Sequence, residues 1–181
     1  MIEIIKEIIA ERKYVCIYTN NTKQDKFIYG RIIGADEVFL AILMVSQDGL
    51  YDGIAIMEIE RVLRIEESVS YNDKMVRLMR IRGYAEKEIS VDETDILSWG
   101  INLVVNKKSI VSVELCGSEM WDVVGIMDSI TGNNCKVNCV DEYGLEDGVS
   151  FIELRDITQI CFESEDENRI SVLWKDRKEN G

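Results

Sequence analysis

The side chains able to do chemistry in this chain are carboxylates and thiols: 34 Asp and Glu and 5 Cys stand beside no histidine. Histidine is the commonest general base and the usual partner of a Ser or Cys nucleophile, so the simplest catalytic pairs are missing. Two carboxylate pairs recur, Asp52 with Glu58 and Asp147 with Glu153. A pair of acids could divide general acid and general base work. Each of these Asp residues stands in an Asp-Gly step, however, where its ordinary use is to shape a turn. Each Glu falls at the end of a strand pattern. No phosphate loop, dinucleotide fingerprint or nucleophile elbow occurs. The expectation is a protein that is not an enzyme, with no catalytic residue, metal or cofactor.

The cysteines Cys16, Cys116, Cys135, Cys139 and Cys161 contain no CxxC pair. Cys135 and Cys139 would share one side of a strand, but a zinc site needs further ligands and no histidine supplies them. Free thiols in a reducing compartment follow, hence a cytoplasmic location. The N-terminus carries Glu3 and Glu7 where a secretory leader needs bases, and no apolar run reaches the length of a membrane span.

Bases gather in one run, Lys74, Arg77, Arg80 and Arg82, which Arg61 and Arg64 extend. These six are the candidate RNA- or anion-binding residues; the competing reading is a solvated helix face. The net charge is −13. Residues 1–94 hold 13 Lys and Arg against 17 Asp and Glu, a balance of −4, and residues 95–181 hold 8 against 17, a balance of −9. Phosphate backbones are bound by Lys and Arg, so this balance opposes nucleic acid and favours a basic protein partner.

What positions these residues is an internal repeat. Gly49-Leu50-Tyr51-Asp52-Gly53-Ile54 returns 95 positions later as Gly144-Leu145-Glu146-Asp147-Gly148-Val149. Gly30 falls on Gly125 at the same shift, and Leu78 on Leu173. Two similar domains in tandem are the simplest reading. Gly30, Asp52, Gly53, Gly125, Asp147 and Gly148 are then the repeated structural positions, the Asp-Gly steps being read as turns that feed strands. The expected domains are residues 1–82 and 95–175, joined by a linker at 83–94 and followed by a frayed tail at 176–181.

Along the first copy, Ile2, Ile5, Ile8 and Ile9 mark an amphipathic helix over 2–12. Short strands follow at 14–19, 27–33, 38–45, 54–59 and 62–65, with a polar turn region at 20–25. Tyr71, Met75, Leu78 and Met79 mark a helix over 71–80. The second copy repeats this with a helix at 95–106, its Ile96, Trp99, Leu103 and Val104 turned inward. Strands follow at 109–115, 121–127, 135–141, 148–154 and 157–162. At 166–175 the apolar positions fit either a helix or a strand. Close spacing of short strands suggests small barrels.

A leading helix, five strands and a glycine inside the second strand resemble the Sm-like family of Sm, LSm and Hfq proteins. The first Sm motif stands here as Gly30-Arg31-Ile32-Ile33-Gly34-Ala35-Asp36-Glu37-Val38-Phe39-Leu40. The resemblance implies a mainly β fold with short helices: two tandem Sm-like or SH3-like five-stranded bent barrels, each preceded by a helix. It also implies RNA binding, against which Leu40 counts, because it stands where the family carries a base-contacting Asn. In that family, strand four of one barrel pairs with strand five of the next to close a ring. A tandem chain could use one such pairing internally and leave edges free for homo-oligomers. Three functions therefore compete. The first is an interaction module with an acidic surface, for instance an inhibitor or immunity-type partner of a basic protein. The second is an Sm-like RNA binder, and the third a structural ring unit.

Overall fold

Alternating apolar residues in runs of five to eight, separated by Gly, Asn and Asp, build strands, and wider apolar spacing builds the helices between them. The computed structural model describes residues 1–19, 27–118 and 120–180. The polar turn expected at 20–25 lies outside the described residues. The chain is mainly β with four helices among the described residues, and it falls into two compact units, Met1–Ile96 and Leu97–Gly181.

The first unit runs α1 (Ile2–Ala10), β1 (Tyr14–Tyr18), β2 (Ile28–Ala35), β3 (Phe39–Val45), β4 (Tyr51–Glu58), a 3-10 turn at Ile59–Arg61, β5 (Arg64–Glu66) and α2 (Val69–Arg82). The second repeats that order with α3 (Ile96–Lys107), β6 (Ile110–Leu115), β7 (Val123–Thr131), β8 (Asn134–Val140), β9 (Glu146–Glu153), a 3-10 turn at Leu154–Asp156, β10 (Ile157–Phe162) and α4 (Glu165–Asn180). Within the first unit the antiparallel order is β5-β1-β2-β3-β4, and within the second it is β10-β6-β7-β8-β9. Among the described residues the outer strands of a unit do not pair with each other, so neither sheet closes on itself by hydrogen bonding.

The repeat reaches the level of register. Gly30 of β2 faces Met44, and Gly125 of β7 faces Cys139, again 95 positions on. At both glycines the neighbouring strand comes so close that a Cβ would lie 2.1 Å from the Leu43 carbonyl oxygen or 2.2 Å from that of Asn138. Glycine is required there by proximity rather than by backbone angle.

One expectation is corrected at the repeated Asp-Gly steps. The turn lies earlier, where the Ser46 N–H donates to the Leu50 carbonyl and the Asp141 N–H to the Leu145 carbonyl, both at 2.9 Å. Asp52-Gly53 and Asp147-Gly148 are already inside β4 and β9. Two residues of β4 oppose the single Met44, and two of β9 oppose the single Cys139. Each pair is a β-bulge, with φ of +86° at Gly53 and +79° at Gly148. A side chain rarely adopts that angle, which is why glycine recurs.

Several element boundaries also differ. α2 begins at Val69, because Ser68 accepts a hydrogen bond from the Tyr71 N–H and starts the helix earlier. Residues 166–175 are helical, and α4 continues through Asn180 instead of fraying at 176. Its last turns are held by Arg177 Nε, which donates to the Tyr143 carbonyl at 3.0 Å, and by Lys178 on Glu146 at 2.5 Å. In α3 the buried positions are Ile96, Gly100, Ile101 and Val104, while Trp99 and Leu103 are half-buried. The stretch 83–94 holds no helix or strand and is fastened to the first unit. Glu86 pairs with the buried Arg31, Glu88 with Arg12 at 2.7 Å, and Val91 lies over Gly34.

Candidate functional site

Asp36 closes the β2–β3 turn. Its Oδ1 accepts from the Val38 and Phe39 N–H groups at 2.7 Å each, and its Oδ2 from the Ile96 N–H at 2.8 Å. With three backbone donors, this carboxylate is a structural anchor.

The six candidate basic residues separate into two groups and the single Arg61. Arg64 of β5 stacks its guanidinium 3.8 Å from the Tyr18 ring centre and lies 3.4 Å from Glu66. Lys74 of α2 sits 5.3 Å from the centre of the Tyr71 ring. Between them Tyr18, Phe27 and Tyr71 touch in series, with ring centres 5.3 and 5.1 Å apart. The aromatic cluster thus brings Arg64 and Lys74 to one surface. Arg77 and Arg80 project from the exposed side of α2, away from the buried Met75 and Met79, and Arg82 is exposed in its last turn. Arg61 lies in the 3-10 turn before β5.

This aromatic cluster was not foreseen from the sequence. Its signal was the alternation of Tyr14, Cys16, Tyr18 with Phe27, Tyr29 on neighbouring strands. Tyr29 donates to Asn72 Oδ1 at 2.9 Å, and Asn72 Nδ2 donates to the Tyr14 carbonyl at 3.2 Å, which pins α2 to the sheet. Burial pushes the Tyr14 and Tyr29 phenols well above the usual range and the Cys16 thiol up to about 11. A cleft of about 370 Å³ adjoins the cluster, lined by Phe27, Tyr29, Met44, Gln47, Asp52 and Tyr71 among others.

The carboxylate pairs do not converge. Asp52 and Glu58 stand at opposite ends of β4, and six residues of strand span about 20 Å. The same holds for Asp147 and Glu153 on β9, where Glu153 pairs with Arg155 at 2.7 Å. Desolvation raises the Glu58 carboxyl, with Arg61 opposing and Glu60 adding. Among the thiols, Cys135 is buried and its pKa is raised by desolvation, while Cys139 lies 3.2 Å from Ser150 Oγ.

The strongest anomaly lies on β9. In β4 the side chains of Ile54 and Ile56 are 0% exposed, whereas their counterparts Val149 and Phe151 are 50% and 75% exposed. Ile130 of β7 is also exposed, where its counterpart Ala35 is buried. Ile130 lies two strands in, on β7, and by register on the other face of the sheet, while Val149 and Phe151 share one face of β9, the outer strand of that unit. Acids flank them: Glu146, Asp147 and Glu153 on β9 itself, with Asp156 just beyond. Exposed apolar side chains rimmed by charge mark interaction surfaces.

Among the described residues, no group of three or more Cys, Asp or Glu could hold a metal ion, and no helix is long and apolar enough to cross a membrane. Comparison with protein families, curated proteins and solved structures finds no match to this chain.

Proposed function

We propose that this protein is a non-enzymatic interaction module in which the acidic second unit engages a basic partner protein, as an inhibitor or immunity-type partner would. One observation carries the reading: apolar residues that the first copy buries in β4 are presented to solvent in β9, inside an acidic rim. Apolar area gives affinity, and the rim charges steer encounter and select the partner's sign. A cytoplasmic site of action belongs to the same proposal. So does an Sm-like scaffold for each unit, supported by the shared element order, by Gly30 and Gly125 against their neighbouring strands, and by Asp36 in its turn.

The test is affinity capture from host lysate at low and moderate salt, with wild type beside a Val149→Lys/Phe151→Lys variant. A basic protein held by wild type, lost with salt and lost in the variant supports the reading. Equal recovery by both proteins overturns it.

A second reading, single-stranded RNA binding, is favoured by the cations over aromatic rings at Arg64–Tyr18 and Lys74–Tyr71, a pairing that suits unstacked bases. Fluorescence anisotropy with A-rich and U-rich oligomers separates the two. Tight binding with a steep salt slope would place function on the first unit instead.

A further inference from the structure

We infer, resting on the interaction reading above, that the face of β7, β8 and β9 carrying Val149 and Phe151 is a peptide groove, and that it takes an extended, apolar segment of the basic partner protein. The first unit shows the same face occupied. By register Arg31, Leu43 and Ile54 form one row across β2, β3 and β4, and Gly34, Ala41 and Ile56 form the next. Leu43 and Ala41 are two residues apart, as are Ile54 and Ile56, so both rows lie on one face. All six residues are buried. α2 covers one end of this face, where Met75 and Met79 pack with Cys16 and Tyr29. Residues 84–91 then cross it as an extended strap with no helix or strand. Tyr84 packs against the same cluster and Glu86 pairs with Arg31. Lys87 lies 3.5 Å from the centre of the Tyr51 ring, and Val91 lies over Gly34.

The second unit repeats this face and leaves it open. Ile126, Asn138 and Val149 make the first row, and Ser129, Lys136 and Phe151 the second, each 95 positions after its counterpart. None of these six is buried. A cleft of about 370 Å³ lies over the first row, bounded by Trp174 and Lys178 of α4. Another of about 400 Å³ lies over the second row. These are the places that Glu86 and Val91 take in the first unit.

The substitutions between the rows define the occupant. Ile126 stands where Arg31 pairs with Glu86, so an acid at that point would be desolvated without its cation, and an apolar side chain fits instead. The strap of a second copy is therefore a poor occupant, since it carries Glu86, and a chain of net charge −13 repels its own kind. Charges beside the groove are matched within the unit: Lys136 pairs with Asp128 at 3.0 Å and Lys178 with Glu146 at 2.5 Å. The groove thus selects an uncharged stretch. The remaining acid excess, 17 Asp and Glu against 8 Lys and Arg over residues 95–181, attracts the basic protein that carries it.

The experiment titrates the isotope-labelled full chain with three capped eight-residue peptides, followed by NMR. The first has the sequence of residues 84–91. The second carries Glu86→Leu, and the third carries Glu88→Leu, which matches the second in composition and charge. The second peptide is expected to shift the amides of Ile126, Val149 and Phe151 and to bind at least about tenfold more tightly than the other two. The variant Ile126→Arg is expected to reverse that order, so that the unaltered peptide binds and its Glu86→Leu form does not. Arginine already occupies the equivalent place in the first unit, and an unchanged melting curve verifies that the variant folds. Equal binding of the second and third peptides would mean general apolar attraction and overturn the groove. Shifts confined to other residues, or no binding by any peptide at millimolar concentration, would do the same. A native mass showing a homo-oligomer with Val149 and Phe151 shielded would overturn it by giving the face to a second copy. Capture of a basic protein from lysate, sensitive to Val149→Lys/Phe151→Lys, would still stand after any peptide failure, so loss of the groove and loss of the interaction reading are separate results.

Discussion

Ser112 on β6 donates its hydroxyl to the buried Glu167 carboxylate of α4 at 2.6 Å. The other oxygen of Glu167 accepts from the Ser164 N–H at 3.1 Å and from the Ser164 hydroxyl. The same side chain therefore closes a capping box at the start of α4 and ties that helix to the sheet. Asn72 of α2, 95 positions earlier, does the corresponding work with an amide. Glu167→Ala removes both functions and leaves Ser112 buried without its acceptor. The expected cost is about 2 to 3 kcal/mol, read as a lower urea midpoint. Glu167→Gln keeps an acceptor oxygen and should lose only about 1 kcal/mol. Equal losses would mean that charge, not hydrogen bonding, is what the site requires.

Gly30→Ala and Gly125→Ala should each destabilise by about 3 kcal/mol or more. The added methyl has nowhere to go, since the nearest atom is a backbone carbonyl of the neighbouring strand and not the tip of a flexible side chain. Thermal unfolding of the two single variants measures this. Melting close to wild type in either variant would show that the strands can part at that point without loss.

Much of the fold could be read from the sequence because burial dictates pattern. β3 is an apolar run from Phe39 to Val45, and every position is buried. Asp52-Gly53 misled because a glycine at positive φ suits a turn and a bulge equally, and only the register with Met44 distinguishes them. The last turns of α4 carry no apolar periodicity, so their order, which depends on Tyr143 and Glu146 far away in sequence, left no local signal. The basic run was visible as composition. Its division between the aromatic cluster and the open face of α2 was not, because cross-strand neighbours are not adjacent in sequence. Least legible was β9. Val149 and Phe151 are the same kind of residue as Ile54 and Ile56, and apolar type alone does not say which of two equivalent strands is covered.

Stability should fall in mild alkali. Burial raises the Cys16 thiol from 9.0 to about 11, with Glu66 adding and Arg64 opposing. Between those values the unfolded chain has released this proton while the folded chain retains it, so stability decreases as pH rises. The contribution is complete below 9.0 and is gone above about 11. Tyr14 and Tyr29 are raised in the same direction and extend the fall to higher pH. Urea unfolding from pH 8 upward should show the decline, and Cys16→Ala should flatten its first part. A variant curve parallel to that of wild type would remove Cys16 from the account. Thiol labelling offers a second check, with the exposed Cys116 reacting well before Cys16.

Equivalent positions in the two copies should respond in opposite ways to one substitution. Ile56 and Phe151 occupy the same place in β4 and β9, but the first is fully buried and the second largely exposed. Ile56→Lys puts a charge where no water reaches it. The expected cost is several kcal/mol, enough to unfold a domain of ordinary stability of about 5 to 15 kcal/mol or to leave it marginal. Phe151→Lys adds a charge to a wet strand edge and should change stability by less than about 0.5 kcal/mol. Urea midpoints of the two variants, compared with circular dichroism at the start of each titration, decide the matter. If Phe151→Lys is as damaging as Ile56→Lys, then β9 is already covered in solution, and its exposed apolar face is not waiting for a partner.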